Sequence, residues 1–202
     1  MKIFVNQTSP YARKVRVVIR EKGLDQQVGV VDVDPWSAPP ELLAVSPLSR
    51  VPVLLVERDL VMTESDSICR YLDEQWPAVP LLPAESVARN DAISRVALVQ
   101  GMIDCAFDAA MERRRPASLQ WPELIVRHQD TIERGLAVVA AMHRPEARFD
   151  LGDIGLGCLL GYLDFRHPAV TWRKQWPGLA RWFDPVSRRH SMAGTQPDVP
   201  VC

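Results

Sequence analysis

The sequence has few cysteines and no metal-binding pattern. Its four cysteines are Cys69, Cys105, Cys158 and Cys202. They are far apart, with no C-x-x-C pair and no histidine at metal-ligand spacing. This spacing argues against a zinc site and against a disulfide framework, and it favours reduced thiols. We therefore expect no metal and a cytoplasmic location.

The chain also lacks an excess of charge and a long apolar segment. Its 202 residues include 24 basic and 25 acidic side chains, so the net charge is close to zero. Such a chain has no long-range attraction to nucleic acid or anionic lipid. The first apolar run, Ile3 to Val5, is too short for a membrane span or a signal sequence. We expect a small-molecule or protein partner, with no nucleic acid and no membrane.

Residues 1–76 alternate between β-branched runs and helical patterns. Strands are predicted at residues 3–5, 28–33, 51–56 and 60–62. Helices are predicted after Ser9-Pro10, near residues 41–45, and from Thr63-Glu64-Ser65-Asp66 to about Gln75. In the first helix Val15, Val18 and Ile19 share one face, Arg13 and Lys14 take the other, and Gly23 is placed to end the helix.

The order βαβαββα predicts a small mixed sheet of thioredoxin type. A strand-helix-strand start implies a parallel pair, and the polar turn at Glu57-Arg58-Asp59 implies an antiparallel hairpin. Residues 77–83 contain three prolines and break all periodicity, so they are predicted to be a linker. Residues 84–202 are predicted to form an all-helical second domain, with a Pro-rich tail from Gly194.

Three helical segments are predicted in the second half. Apolar residues from Ile93 to Met111, including Ala97, fall on one helical face, and a second long helix fits Pro122 to Met142. Asp150 and Asp153 form a capping pattern before the apolar run 154–163. The glycines within this last segment weaken an isolated helix by roughly 1 kcal/mol each, so it must be buried to persist.

Several motifs together resemble the glutathione transferases. These motifs are residues 8–14, TSPYARK; residues 50–54, RVPVL; and residues 64–68, ESDSI. Residues 161–166, GYLDFR, and the late Trp182-Phe183 are similar to a bacterial YibF-like subgroup. The resemblance covers nearly the whole chain.

The resemblance implies a function as well as a fold. It implies a thioredoxin-like domain that binds glutathione as co-substrate, an all-helical domain that holds a small electrophile, a homodimer and a role in detoxification. Two alternatives stay open: a glutathione-binding protein without turnover that holds ligands or protein partners, and a glutathione-dependent reductase or peroxidase. A serine at position 9 argues against a mixed-disulfide mechanism, because serine cannot form one.

Ser9 is the candidate for activating the thiol of glutathione. A thiol pKa of about 8.5 must fall by roughly 2 pH units for the thiolate to dominate at neutral pH, which requires about 2.7 kcal/mol. A helix dipole supplies only about 0.3–1 kcal/mol, so a charge-assisted hydrogen bond worth roughly 1.5–3 kcal/mol must supply the larger share. Ser9 could instead only cap the helix, and Thr8 is the rival hydroxyl.

The resemblance assigns the remaining glutathione contacts to two further segments. It implies a cis Val51-Pro52 bond, with the Val51 backbone pairing with the cysteinyl backbone of glutathione, and Arg50 near the glycyl carboxylate. The residues alone favour an ordinary trans proline at a strand start and a solvated loop charge at Arg50. Glu64 and Ser65 would bind the γ-glutamyl ammonium and carboxylate. Asp66 reaches the ligand across the dimer in some relatives.

Two further groups of residues remain: the candidates for the electrophile site and one basic run. Tyr11, Phe107 and Met111 are candidates for the electrophile site, although Phe107 and Met111 fit a plain core position equally well. The basic run at residues 113–115 is interpreted as a solvated helix end whose charge complements the helix dipole.

Overall fold

The computed structural model describes residues 1–57, 60–142 and 149–197, so Arg58, Asp59, the end of the Pro-rich tail and Cys202 lie outside the described residues. The chain forms two compact units. Among the described residues, the first contains Met1–Leu82 together with those from His190 to 197, and the second contains those of Pro83–Arg189. The sequence predicts a linker at 77–83 and a helical domain over 84–202. The structure instead places both the Pro-rich segment up to Leu82 and the last helix in the first unit.

The first unit is built on a four-stranded mixed sheet, as predicted. Its strands are β1 (Lys2–Val5), β2 (Gly29–Asp32), β3 (Val53–Glu57) and β4 (Leu60–Thr63), in the spatial order β2-β1-β3-β4. β1 and β2 are parallel, while β3 is antiparallel to both β1 and β4. The helices are α1 (Pro10–Glu21), α2 (Pro40–Leu43), α3 (Ser65–Gln75) and α9 (His190–Ala193), with a 3₁₀ turn at Pro35–Ser37. The predicted order βαβαββα is therefore confirmed.

α1 begins at the predicted position because Ser9 caps it and Pro10 occupies its first turn. Gly23, with φ +65°, follows its end. Arg13 and Lys14 are only 3% exposed, although the sequence pattern assigns them to the face opposite the apolar one. The guanidinium of Arg13 donates to the carbonyl of Met192, and the ammonium of Lys14 pairs with Asp66. Buried cations are tolerated when they have such partners.

The capping pattern predicted at the start of α3 is wrong. Thr63 is the last residue of β4, where it pairs with Val53. Glu64 occupies the N-cap position and makes no side-chain cap hydrogen bond, and the Asp66 carboxylate pairs with Lys14 instead of turning back to the cap. The N-cap is therefore Glu64 and not Thr63, and the carboxylate of Asp66 is engaged by Lys14, so the capping box does not form.

The second unit consists of helices within its described residues. They are α4 (Ser86–Arg114), α5 (Pro122–Met142), α6 (Leu151–Arg166), α7 (Trp172–Gln175) and α8 (Pro177–Ser187). α5 has the predicted bounds. On α4 the buried residues include Val96, Ile103 and Ala110, but Ala97 is exposed, because the buried stripe of the long helix runs instead through Ala92 and Val99.

α6 is the central helix of this unit, as predicted. Twelve of its residues are buried, including Gly152, Gly155 and Gly157. The Asp150 carboxylate accepts from the Asp153 N–H, and the Asp153 carboxylate accepts from the Asp150 N–H, both at 3.1 Å. This capping box is confirmed, and Arg95 of α4 forms ion pairs with both carboxylates.

The cysteines and the helix lengths of the described residues can be compared with the expectations of reduced thiols and of no membrane span. Cys69, Cys105 and Cys158 are free thiols, and the first and last of these are buried. Across the described ranges, none of the helices combines the length and the apolar character that crossing a bilayer requires.

Candidate functional site

Three segments that carry the candidate residues meet at one end of the sheet in the first unit. In the register of the strands, Phe4 lies opposite Val53, and Val53 lies opposite Thr63. The end of β1, the start of β3 and the end of β4 are therefore neighbours. Ser9 follows β1, Val51-Pro52 precede β3, and Glu64-Ser65 follow β4, so the fold brings these residues to the same edge.

The hydroxyl of Ser9 is able to donate a hydrogen bond to a ligand. Its Oγ accepts a hydrogen bond from the Ala12 N–H at 3.2 Å, and its backbone carbonyl accepts from Arg13. A serine hydroxyl accepts through its lone pairs and donates through its single proton. Within the described residues that proton has no acceptor. Capping α1 and donating to a ligand are therefore compatible roles for the same side chain.

The Thr8 hydroxyl, in contrast, is already engaged. Its Oγ1 donates to Asn6 Oδ1 at 2.7 Å, and the Thr8 N–H donates to the same oxygen at 3.1 Å. The Asn6 amide nitrogen donates to the Val33 carbonyl at 3.2 Å, which fixes Oδ1 as the acceptor facing Thr8. A thiolate would have to displace an existing hydrogen bond to use Thr8.

The Val51–Pro52 peptide bond is cis, as expected. Pro52 is buried, and Val51 packs against the small core formed by Phe4, Val33, Leu42 and Val53. Across the described ranges, the N–H and the carbonyl of Val51 take part in no hydrogen bond. They can therefore pair with an extended peptide in the manner of an added strand. Arg50, one residue earlier, is exposed.

The start of α3 offers a second binding element. Ser65 is 4% exposed, whereas the side chain of Glu64 is exposed. The backbone N–H groups of residues 65–67 have no acceptor among the described residues, because the N-cap side chain makes no bond to them. In α4 and α6 the corresponding groups are capped by Glu85 and Asp150. A free helix N-terminus of this kind favours an anion such as a carboxylate.

The other candidates are residues of helices α1 and α4. Tyr11 is half-buried on α1. Phe107 and Met111 belong to the second unit, where both are half-buried on α4. In the basic run, Arg114 and Arg115 are exposed at the end of α4 as predicted, but Arg113 is half-buried with its Nη1 2.8 Å from His167 Nδ1.

Two residues important to this geometry are missed by reasoning from sequence. Asn6 forms a local turn with Thr8, and the Asn-x-Thr pattern before the helix is a signal that could have identified it. Lys14 pairs with Asp66, which lies 52 positions further along the chain. No pattern within a short window reports such a pair. Asp66, named above as a contact across a dimer, is held within its own unit.

A metal centre is not suggested by the described residues, since none of their His, Cys, Asp and Glu side chains form a group of three or more able to hold an ion. The edge of the sheet offers the Ser9 hydroxyl and unpaired backbone groups at Val51 and at the start of α3, which suit an anionic, peptide-like ligand.

Comparison with known proteins identifies relatives of both units. The model for the N-terminal domain of glutathione S-transferases matches residues 8–75, and the model for the C-terminal domain matches residues 106–184. The uncharacterized GST-like protein YibF of Escherichia coli is 28% identical over 201 residues, which cover 98% of each chain.

Solved structures agree with these matches. A glutathione transferase family member from Pseudomonas fluorescens, with bound glutathione, is 34% identical with a TM-score of 0.92, covering 98% of this chain and 99% of the other. A glutathione S-transferase from Methylobacterium radiotolerans, in complex with glutathione sulfonate, is 33% identical with a TM-score of 0.90, covering 100% and 96%. The family models match both halves of the chain, and a solved relative is 34% identical over 98% of it. The protein therefore belongs to the glutathione transferase family.

Proposed function

We propose that the protein binds glutathione at the edge of the sheet and transfers its thiolate to a small electrophile. The observation that carries this proposal is the hydroxyl of Ser9, which caps α1 through its oxygen and keeps its proton for a ligand. A charge-assisted hydrogen bond from that proton to sulfur favours the thiolate over the thiol. The glutathione bound in the relative from Pseudomonas fluorescens supports the choice of ligand.

The rest of glutathione has complementary partners in the proposal. The free backbone groups of Val51 pair with the cysteinyl backbone, and the exposed Arg50 lies near the glycyl carboxylate. The amides at the start of α3 and the Ser65 hydroxyl hold the γ-glutamyl carboxylate, while Glu64 faces the ammonium. In this arrangement the thiol is positioned as well as ionised, which is how a bound nucleophile gains rate.

Three further parts of the proposal rest on the family resemblance. Tyr11, Phe107 and Met111 contact the electrophile, the active form is a homodimer, and the conjugation serves detoxification in the cytoplasm. Light scattering on the purified protein tests the dimer directly. Alanine substitutions at Phe107 and Met111 test the electrophile site, because they should raise the KM for the electrophile and leave glutathione affinity unchanged.

The decisive experiment measures the pKa of the bound thiol. Titration of the thiolate absorbance in the glutathione complex should show that Ser9→Ala raises that pKa by more than about one pH unit, the equivalent of about 1.4 kcal/mol. Thr8→Ala is the matched control and should change it little, because the Thr8 proton is already donated to Asn6. The reverse result would move the role to Thr8.

Calorimetry and turnover separate this proposal from the alternatives. If the protein shows no heat of binding with reduced glutathione, the proposal fails altogether. If it binds glutathione but conjugates no member of a panel of aryl halides, epoxides and unsaturated carbonyls, a binding role without turnover replaces it. Thiol-disulfide exchange with reduced glutathione would instead favour a reductase.

A further inference from the structure

A partly buried ion pair joins the first halves of α1 and α3. The ammonium of Lys14 contacts Asp66 Oδ1, and the two side chains are 4% and 31% exposed. Lys14 lies five positions after Ser9, and Asp66 immediately follows Ser65. The pair therefore connects the two helices close to the ends that carry the proposed contacts to sulfur and to the γ-glutamyl group.

A second buried pair joins the same helices at their opposite ends. Lys22 Nζ lies 2.5 Å from Asp73 Oδ1, and these side chains are 1% and 6% exposed. The Lys22 ammonium also donates to the carbonyls of Trp76 and Val79, at 2.7 and 2.6 Å. The two pairs are alike in type and in the helices they connect, but only the Lys14 pair lies near the candidate site.

Asp66 places a negative charge beside an anion-binding position. It occupies the first turn of α3, next to the free amides of residues 65–67. A carboxylate ligand bound at those amides would be repelled by an uncompensated Asp66, since like charges a few ångströms apart disfavour each other. The Lys14 ammonium compensates that charge and at the same time fixes the start of α3 relative to α1.

We propose that Lys14, acting through Asp66, is a positioning residue that makes the start of α3 selective for the α-carboxylate of the γ-glutamyl group of glutathione. This inference rests on the proposed function, because it presupposes that glutathione binds at this edge of the sheet. Lys14 itself touches neither the thiol nor the ligand carboxylate.

The test compares two ligands by calorimetry. One is reduced glutathione, and the other is 4-aminobutanoyl-cysteinylglycine, which keeps the ammonium and the thiol but lacks the α-carboxylate. The wild type should prefer glutathione by about tenfold or more, as expected for losing hydrogen bonds to a charged group. Lys14→Met should reduce that preference at least about threefold, because the bound carboxylate is then misplaced and repelled.

Lys22→Met is the matched control. It breaks a more deeply buried pair between the same helices, so it should lower the melting temperature and leave the ligand preference unchanged. The double variant Lys14→Met/Asp66→Asn should regain part of the preference, because it removes the unpaired carboxylate as well. This regain is a result that a merely structural ion pair would not produce, and the double variant also serves if Lys14→Met alone does not fold.

Each contrary outcome has a distinct meaning. A wild type that fails to bind glutathione overturns the proposed function. A wild type that binds both ligands equally overturns the inference alone. Equal losses of preference in Lys14→Met and Lys22→Met, or no regain in the double variant, also overturn the inference, because the Lys14 pair is then only a structural support.

Discussion

Glu64 has a backbone conformation that its side chain makes costly. Its φ is 66° and its ψ is 119°, a left-handed φ that a residue with a Cβ adopts at a cost of about 1–3 kcal/mol. Glu64 makes no cap hydrogen bond that would repay this cost in the free protein. In the proposed function, an ion pair between the Glu64 carboxylate and the γ-glutamyl ammonium of bound glutathione offsets this cost.

We predict that Glu64→Gly raises the free energy of unfolding and lowers the affinity for glutathione. Glycine relieves the strained φ but adds entropy to the unfolded chain, so the free energy of unfolding in urea should rise by roughly 0.5–2 kcal/mol. The affinity for glutathione should fall, because the carboxylate is lost. Glu64→Gln is the control, since it removes only the charge and should leave stability unchanged. A glycine variant less stable than the wild type would contradict the prediction, because the strain at Glu64 would then cost less than the entropy that glycine adds to the unfolded chain.

His167 is a buried neutral histidine in the second unit. It is 2% exposed, its Nε2 donates to the Ala106 carbonyl at 2.8 Å, and its Nδ1 accepts from Arg113 at 2.8 Å. Burial first, and the Arg113 charge second, lower the pKa of His167 to about 4 from its ordinary 6.5. Between these two pH values only the unfolded chain holds the proton, so stability from this residue is lost as pH falls from 6.5 to 4.

Asp153 acts in the opposite direction over nearly the same range. Burial, followed by the charge of Asp150, raises the pKa of Asp153 to about 6 from 3.8. Between these values only the folded chain holds the proton, so the contribution of Asp153 is present at low pH and is lost as pH rises through 6. The two groups partly cancel in the stability profile of the wild type, so a variant is needed to separate them.

We therefore predict the pH dependence of the difference between the wild type and His167→Gln. Glutamine can still donate to the Ala106 carbonyl but does not titrate. The free energy of unfolding of the wild type, relative to this variant, should decrease from pH 6.5 to pH 4 with a slope of at most about 1.4 kcal/mol per pH unit. Titration of the His167 ring by NMR gives the pKa directly, and an ordinary value near 6.5 would contradict the prediction.

At the scale of the element, α4 and α5 pack closely at one glycine. A Cβ added at Gly135 of α5 would lie 2.3 Å from Met102 Sδ on α4, and Met102 is itself 2% exposed. At Gly101, on the exposed side of α4, an added Cβ meets nothing within 4 Å. The same substitution therefore tests packing at one position and helix propensity at the other.

We predict opposite effects for these two substitutions. Gly135→Ala should lower the free energy of unfolding by about 1–3 kcal/mol, because the buried methionine has to move. Gly101→Ala should raise it by about 0.5–1 kcal/mol, because alanine is the better helix former and has free space. Chemical denaturation measures both. If both variants gain stability, Met102 can yield and the contact at Gly135 is not limiting.

Local signals predicted one of the two capping boxes correctly and the other wrongly. The Asp150–Asp153 box forms as predicted, with Arg95 adding to it from α4. The similar pattern at Thr63 and Asp66 fails, because Thr63 belongs to β4, which leaves Glu64 as the N-cap, and because Lys14 pairs with Asp66. Both patterns look alike in sequence, and the strand pairing and the ion pair that distinguish them depend on residues far along the chain.

At the scale of the molecule, the chain returns to its first unit after the helical one. Ser191 Oγ lies 2.5 Å from Glu21 Oε1, and Arg20 Nη1 donates to the His190 carbonyl at 3.3 Å. Met192 is fully buried, and its carbonyl accepts from Arg13. α9 thus covers α1, the helix that begins after Ser9.

We predict that this return segment stabilises the first unit. Met192→Ala should lower the free energy of unfolding by about 2–5 kcal/mol, the usual cost of truncating a buried methionine. Met142→Ala, at a position 43% exposed, is the control and should change it by less than about 0.5 kcal/mol. Thermal melts followed by circular dichroism measure both. Equal effects would show that α9 adds nothing to the stability of the unit.

Local sequence patterns were enough to predict the order of elements in the first 76 residues, the start of α1 at Ser9-Pro10, the bounds of α5 and the cap of α6. These features depend on side chains within a few positions of one another, and their energetic preferences already exist in a short segment. The family motifs added the cis proline and the expected ligand, since they are also contiguous in the chain.

The differences between the candidate residues became visible only in the folded chain. It showed that the Thr8 hydroxyl is held by Asn6 while the Ser9 proton is available, that Lys14 pairs with Asp66, and that α9 joins the first unit. The last two partnerships join residues 52 and 170 or more positions apart. Such contacts exist only once hydrophobic burial has brought the elements together, so no local pattern can encode them.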